Sequence, residues 1–210
     1  MKLFTIIALA AAAAAAKPTV YFIRHGEKPD DDDANGLSTK GVKRAQCLRQ
    51  VFGHSSSYDI GHIMAQTPKS GKYRFPEHIH QQRHEPAWSR KRRREKDMNG
   101  HAASTNEKNA DGKRQRPLDT VQPLATDLGL KVDTSCDRDD PKCVKKAVKA
   151  YKGNGNILIC WEHKALRDLA EELGADNAED YPSDHFDLIW VDRSPYDTIN
   201  EIQTENCPGL

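Results

Sequence analysis

Apolar, β-rich runs alternate with helical segments along this chain, and that alternation constrains its fold more than any other feature. The strongest strand candidates are the nearly continuous apolar runs at residues 19–25, 60–66, 156–162 and 186–194, with a short one at 131–135. Helical spacing and end signals mark the segments 37–53, 116–130, 143–153 and 163–174. Strands alternating with helices of this length predict an α/β fold, a three-layer α/β/α sandwich around a mainly parallel sheet.

The first 16 residues, MKLFTIIALAAAAAAA, have the pattern of a secretory signal peptide. Lys2 supplies the positive charge, an apolar stretch follows, and the alanines before Lys17 offer a cleavage site. The apolar run is shorter than the ~20 residues that a bilayer span needs. We therefore predict that residues 1–16 are removed and that the mature protein is secreted, without a membrane anchor. Residues 17–210 are then expected to form a single domain.

The chain has five cysteines, which fits an oxidising destination where one or two disulfides form. Cys136 and Cys143 flank the polar stretch DRDDPK and are the pair that we expect first. Because five is an odd number, at least one thiol is left over.

Polar side chains follow two of the predicted strands. FIRHGE carries Arg24 and His25, and CWEH carries Glu162 and His163. Ligands of such sheets bind at the carboxyl ends of strands, and Arg116 begins a helix that should start at the same edge. Guanidinium groups match phosphate oxygens, and a neutral imidazole can attack phosphorus. These residues predict a pocket for a phosphate dianion.

The order of these motifs resembles that of the histidine phosphatase superfamily, which has the phosphoglycerate mutase-like fold. RHGE resembles the signature after the family's first strand, and GLSTKGVKRAQ its Leu-Thr-x-x-Gly-x-x-Gln-Ala helix. RPLDT, from Arg116 to Thr120, resembles the Arg-x-x-x-Thr helix start, and ILICWEH the strand of the second histidine. The similarity covers residues 19–70 and 111–195.

The resemblance implies a phosphatase that hydrolyses a small phosphorylated substrate in two steps. His25 would attack phosphorus to give a phosphohistidine, while Arg24, Arg116 and His163 would hold the phosphate oxygens. No metal or other cofactor is expected, because the arginines supply the positive charge. Many members protonate the leaving oxygen with a carboxylate directly after the second histidine, where this chain has Lys164. Glu162 and Glu27 are the candidate acids here.

Residues 71–110 interrupt this pattern with a strongly basic segment. They contain ten lysines and arginines against five acidic residues, including the run RKRRR, and show no apolar periodicity. Connections in α/β units usually have about 2–6 residues. We therefore predict a basic, disordered insert.

The ends of the insert suggest a translated intron. Gly71-Lys72-Tyr73 can be encoded with the splice-donor-like sequence GTAAGT, and Ala110-Asp111 with an acceptor-like CAG. Excision between these points removes residues 71–110, keeps the reading frame and joins Ser70 to a rebuilt Asp111.

Two alternatives to a phosphatase remain. One is a catalytically weak, phosphate-binding relative of the family, since the leaving-group acid is not evident. The other is a nucleic-acid-binding protein that uses the cations of the insert. Trp88 is the only aromatic residue within ten positions before the RKRRR run, so we expect no nucleic-acid partner.

Overall fold

A computed structural model describes residues 17–30, 35–69 and 114–210. The strands in these ranges are β1 (Val20–Arg24), β2 (Ile60–Ala65), β3 (Val132–Asp133), β4 (Asn156–Trp161), β5 (Leu188–Asp192) and β6 (Ile199–Thr204). The helices are α1 (Thr39–Val51), α2 (Arg116–Asp127), α3 (Pro141–Ala150) and α4 (His163–Leu173). The predicted signal peptide, residues 1–16, and the predicted insert, residues 71–110, lie outside the described residues.

The six strands form one sheet in the order β3-β2-β4-β1-β5-β6. β3, β2, β4 and β1 pair in parallel, whereas β5 is antiparallel to both of its neighbours. Five strands therefore run in one direction and β5 alone runs against them, which confirms a mainly parallel sheet. β6 was not predicted as a strand, because it lies at the sheet edge and its sequence, INEIQT, has polar residues at positions facing either side.

Alternate residues of β1 belong to different cores, and this alternation confirms the three layers. Val20 and Phe22 pack in a cluster with apolar side chains of α3 and α4. Tyr21 and Ile23 pack in a second cluster with side chains of α1 and α2. Because successive side chains of a strand point to opposite faces, the sheet is covered by two helices on each side.

Helix ends follow local chemistry. The Ser38 hydroxyl accepts a hydrogen bond from the Gly41 N–H at 3.1 Å, and the Asp140 carboxylate accepts one from the Cys143 N–H at 3.0 Å. These side chains satisfy N–H groups that have no partner within the first turn of α1 and α3. Within the described ranges no helix combines the length and apolar character needed to cross a bilayer.

Two disulfides are present in the described residues. Cys136–Cys143, the pair expected from the sequence, closes a short loop between β3 and α3. Cys47–Cys207 joins α1 to the residues after β6, across a sequence separation of 160. Cys160 in the middle of the sheet is buried and unpaired.

Candidate active site

The two strand-end histidines meet because their strands are neighbours in the sheet. β1 and β4 pair in parallel with Arg24 opposite Trp161, so His25 and Glu162 leave the sheet side by side. The His25 N–H donates a hydrogen bond to the Trp161 carbonyl at 3.0 Å. His163 follows as the first residue of α4. The carboxyl edge of the sheet thus holds both imidazoles.

The ring of His25 is oriented by the adjacent backbone. Its Nδ1 lies 2.7 Å from the Gly26 carbonyl oxygen, and because a carbonyl only accepts, Nδ1 must carry the proton. The lone pair of the neutral ring is then on Nε2, which has no hydrogen-bond partner in the described part of the chain. Burial lowers the pKa of His25 to about 4, with further lowering by the charges of Arg24 and Arg116. His25 is therefore a neutral imidazole with a free lone pair at physiological pH.

A buried threonine ties the loop after His25 to α2. The Gly26 N–H donates to the Thr120 hydroxyl at 2.8 Å, and that hydroxyl donates to the Arg116 carbonyl at 2.7 Å. On the other side, α1 approaches the same loop at Gly41. A Cβ at position 41 would lie 2.7 Å from the Glu27 carbonyl oxygen, so only glycine permits this approach.

The Arg24 side chain is buried and only partly satisfied. Its Nη1 donates to the carbonyls of Ser183 at 2.8 Å and His185 at 2.7 Å, and the guanidinium lies 3.6 Å from the Phe186 ring centroid. Its Nε is buried without a hydrogen-bond partner among the described residues. A buried donor without an acceptor costs about 1–3 kcal/mol, a cost that a bound anion can offset.

A buried ion pair supports the end of β1. Arg44 of α1 donates through Nη1 to the Arg24 carbonyl at 2.9 Å and through Nε to the Glu205 carboxylate at 2.6 Å. A second contact joins Nη2 to the other oxygen of Glu205. The pair fixes the chain after β6 beneath Arg24, next to the Cys47–Cys207 disulfide.

Arg116 contributes a second guanidinium to the site. It is the first residue of α2, is half-buried, and its Nε donates to the Gly36 carbonyl at 3.1 Å. Its charge lies close enough to His25 to lower the pKa of the imidazole. Arg24 and Arg116 thus place two positive charges close enough to His25 to act on its ring.

Glu162 lies between an arginine and the second histidine. Arg138 donates to its Oε2 through Nη2 at 2.7 Å and Nε at 3.2 Å. Its Oε1 lies 3.0 Å from His163 Nδ1, although the two groups are not aligned as in a hydrogen bond. Burial would raise the pKa of Glu162, but hydrogen bonds from Arg138 and from the Lys164 N–H bring it below its ordinary value. Burial and the charge of Arg24 lower the pKa of His163.

The structure brings the five site residues predicted from the sequence to one edge of the sheet. The charges of Arg24, Arg116 and Glu162 act on the pKa of His25, and those of Arg24 and Glu162 act on the pKa of His163. Sequence reasoning missed Arg138, because DRDDPK was interpreted only as a polar stretch between two cysteines. One signal was available. The stretch directly follows a predicted strand, so it leaves the sheet at the carboxyl edge.

A cleft of ≈ 500 Å³ opens beside the site and is lined by residues that include Glu27, Lys40, His185 and Phe186. Phe186 packs against the Arg24 guanidinium and Glu27 lies two residues after His25, whereas His25 itself does not line the cleft. The cleft gives room for a group larger than phosphate. Within the described part of the chain, no cluster of three histidine, cysteine or carboxylate side chains is arranged to hold a metal ion.

No protein-family model matches this chain, and no curated protein matches it. A solved structure that it resembles is that of the protein histidine phosphatase SixA complexed with tungstate, at 13% sequence identity and a TM-score of 0.45. The alignment covers 89% of this chain and 97% of that chain. A likeness at this level implies nothing about the reaction of the present protein.

Proposed function

We propose that the protein is a phosphatase that hydrolyses a small phosphorylated substrate through a phosphohistidine on His25. The observation that carries the proposal is the fixed tautomer of His25. Its Nδ1–H is held by the Gly26 carbonyl, which leaves the lone pair on Nε2, and the charges of Arg24 and Arg116 are close enough to lower the pKa of the ring. The resemblance of RHGE, RPLDT and WEH to the motifs of the histidine phosphatase superfamily supports the same reaction.

The proposed first step is an in-line attack of Nε2 on phosphorus. The N–P bond forms, the bond from phosphorus to the leaving group breaks, and its electron pair goes to the leaving group. Water then attacks the phosphohistidine, releases inorganic phosphate and returns His25 to its neutral form. Arg24, Arg116 and His163 would stabilise the charge on the phosphate oxygens in both steps, each donor contributing about 3 kcal/mol.

The charge state of Glu162 limits which substrates suit this site. Because its pKa is lowered, Glu162 is a carboxylate at neutral pH and is poorly suited to protonate a leaving oxygen. We therefore propose substrates whose leaving group departs as a stable anion and needs no proton from the enzyme, such as acyl phosphates or aryl phosphates. Simple alkyl phosphates are expected to react slowly.

The proposed setting is extracellular. The signal-like segment at residues 1–16 and the disulfides Cys136–Cys143 and Cys47–Cys207 both fit export to an oxidising compartment. Comparing the N-terminal residue of the protein collected from the medium with Lys17 tests this part of the proposal.

The test of the activity compares wild type with His25→Ala. We expect wild type to hydrolyse p-nitrophenyl phosphate and acetyl phosphate, and His25→Ala to lose more than about 10³-fold in kcat. Rapid quenching with ³²P-labelled substrate should trap an alkali-stable, acid-labile label in wild type only. His54→Ala is the matched control, because His54 is exposed and its ring makes one hydrogen bond within the described residues, donating from Nε2 to the Asp127 carbonyl of α2.

Two results would contradict the proposal. Near-wild-type turnover by His25→Ala would exclude His25 as the nucleophile. Phosphate binding without turnover of any substrate would indicate a phosphate-binding relative, the alternative that the ionised Glu162 favours.

A further inference from the structure

The loop between β3 and α3 is closed by the Cys136–Cys143 disulfide and is held at both ends. The Thr67 N–H donates to the Cys136 carbonyl at 2.9 Å, and the Thr67 hydroxyl donates to the Thr134 carbonyl at 2.8 Å. Asp140 caps α3 at the other end. The loop is therefore fixed to the residues that leave β2 at the carboxyl edge of the sheet.

Arg138, in the middle of this loop, is bound to the junction of β4 and α4 by both its main chain and its side chain. Its carbonyl accepts from the Trp161 indole N–H at 3.1 Å. Its guanidinium donates twice to Glu162 Oε2. The Glu162 N–H in turn donates to the Gln66 amide oxygen at 3.1 Å. The position of Glu162 is thus determined from three sides.

The geometry of Glu162 distinguishes this contact from an ordinary surface salt bridge. The Arg138 and Glu162 side chains are 27% and 20% exposed, so water reaches the pair only partly. Arg138 occupies one carboxylate oxygen, and the other lies 3.0 Å from His163 Nδ1. A pair on the open surface would contribute little to stability. Here the pair fixes the direction in which the second oxygen faces.

We propose that Arg138 is a positioning residue of the candidate active site: it holds the negative charge of the Glu162 carboxylate beside His163 Nδ1 and so sets the electrostatic environment of the second histidine. This inference rests on the proposed phosphatase function and adds to it a residue that acts through Glu162. It also gives the disulfide-closed loop a role in the site, since the loop carries Arg138.

Removing the guanidinium should disturb the second histidine. In Arg138→Gln, Glu162 is left as a half-buried carboxylate without its cation, so it takes up a proton at higher pH or turns toward water. Either change removes the negative charge that lies 3.0 Å from His163 Nδ1. We expect kcat for p-nitrophenyl phosphate to fall about 10- to 100-fold. Arg138→Lys should recover part of the loss, because lysine restores the charge but not the two-pronged contact.

A double-mutant cycle tests whether Arg138 acts through Glu162. The variants are Arg138→Gln, Glu162→Gln and the double substitution. We expect the double variant to be no slower than Glu162→Gln alone, because the second substitution removes a contact that no longer exists. Arg114→Gln is the matched control. Arg114 binds Asp137 at 2.6 Å and Asp139 at 3.0 Å in the same loop without contacting Glu162, so kcat should stay within about twofold.

A second readout keeps this inference separate from the proposed function. The dissociation constant of inorganic phosphate, measured by calorimetry on wild type, the three cycle variants and Arg114→Gln, requires no turnover. If wild type hydrolyses nothing, the proposed function fails, and the cycle is decided on phosphate affinity alone. The positioning role would be overturned if the double variant lost as much in kcat, or in phosphate affinity, as Arg138→Gln and Glu162→Gln lose together. An equal loss in Arg114→Gln would also overturn it.

Discussion

Asp192 makes the stability of this protein depend on pH in a predictable way. It is the last residue of β5, is fully buried, and neither carboxylate oxygen has a hydrogen-bond partner in the described residues. Burial, with a smaller contribution from Asp197, raises the pKa of Asp192 to about 7. Asp192 pairs with Val20 at the start of β1, whereas His25 follows the end of β1, so the two residues lie at opposite edges of the sheet. The titration of Asp192 can therefore be studied apart from the candidate site.

The sign and size of the effect follow from the shift. Between the ordinary pKa of 3.8 and the folded value of about 7, folded Asp192 keeps a proton that the unfolded chain has released. The free energy of unfolding therefore falls as pH rises through this window. At 1.36 kcal/mol for each pKa unit, the raised pKa of Asp192 contributes about 4 kcal/mol to the free energy of unfolding. This contribution is fully present below the ordinary pKa and fully lost above the folded one.

Asp192→Asn keeps the size of the side chain and removes its titration. At pH 4 both side chains are neutral, so wild type and variant should have similar free energies of unfolding. At pH 8 wild type holds a buried, unpaired carboxylate, and the variant should be more stable by up to about 4 kcal/mol. The difference between the two proteins should grow steadily from pH 4 to pH 7 and then level off.

The assay is denaturant unfolding at half-unit steps from pH 4 to pH 8.5, with the disulfides intact. Asp168→Asn serves as the control for the same chemical change at an exposed position, because Asp168 lies on the surface of α4. A difference between Asp192→Asn and wild type that does not vary with pH would refute the reasoning. A variant less stable than wild type at pH 8 would refute it as well.

Four further predictions concern other parts of the molecule. Because the pKa of His25 is about 4, the acid limb of kcat/KM should lie near pH 4, and NMR titration of the ring should give the same value. Replacing Cys47 and Cys207 by serine should lower the free energy of unfolding by about 5 kcal/mol, because that disulfide closes a long loop, and denaturant unfolding measures this loss. Transcript reads across codons 70–111 should show a spliced form that lacks residues 71–110; uninterrupted reads alone would contradict the intron hypothesis. Deleting residues 71–110 should leave the thermal midpoint of unfolding nearly unchanged, because loop length contributes little to stability.

The central strands could be predicted because strands buried on both faces have mostly apolar sequences. β1 and β4 are buried on both faces, so VYFIR and NILICW are almost continuously apolar. β6 faces water at the sheet edge, and its sequence has no comparable pattern. The direction of β5 could not be predicted either, since a buried strand has the same composition in both orientations.

The candidate site also has features that the sequence predicted and features that only the tertiary structure decided. The sequence by itself placed His25 and His163 at strand ends and Arg116 at a helix start, because strand and helix ends depend on local chemistry. The adjacency of β1 and β4, which are far apart in the chain, follows from the order of the sheet. Arg138 reaches Glu162 because its disulfide-closed loop is held at that edge by hydrogen bonds from Thr67 and Trp161. Contacts of this kind join residues from separate elements, so packing decided them and no single segment of the sequence contains them.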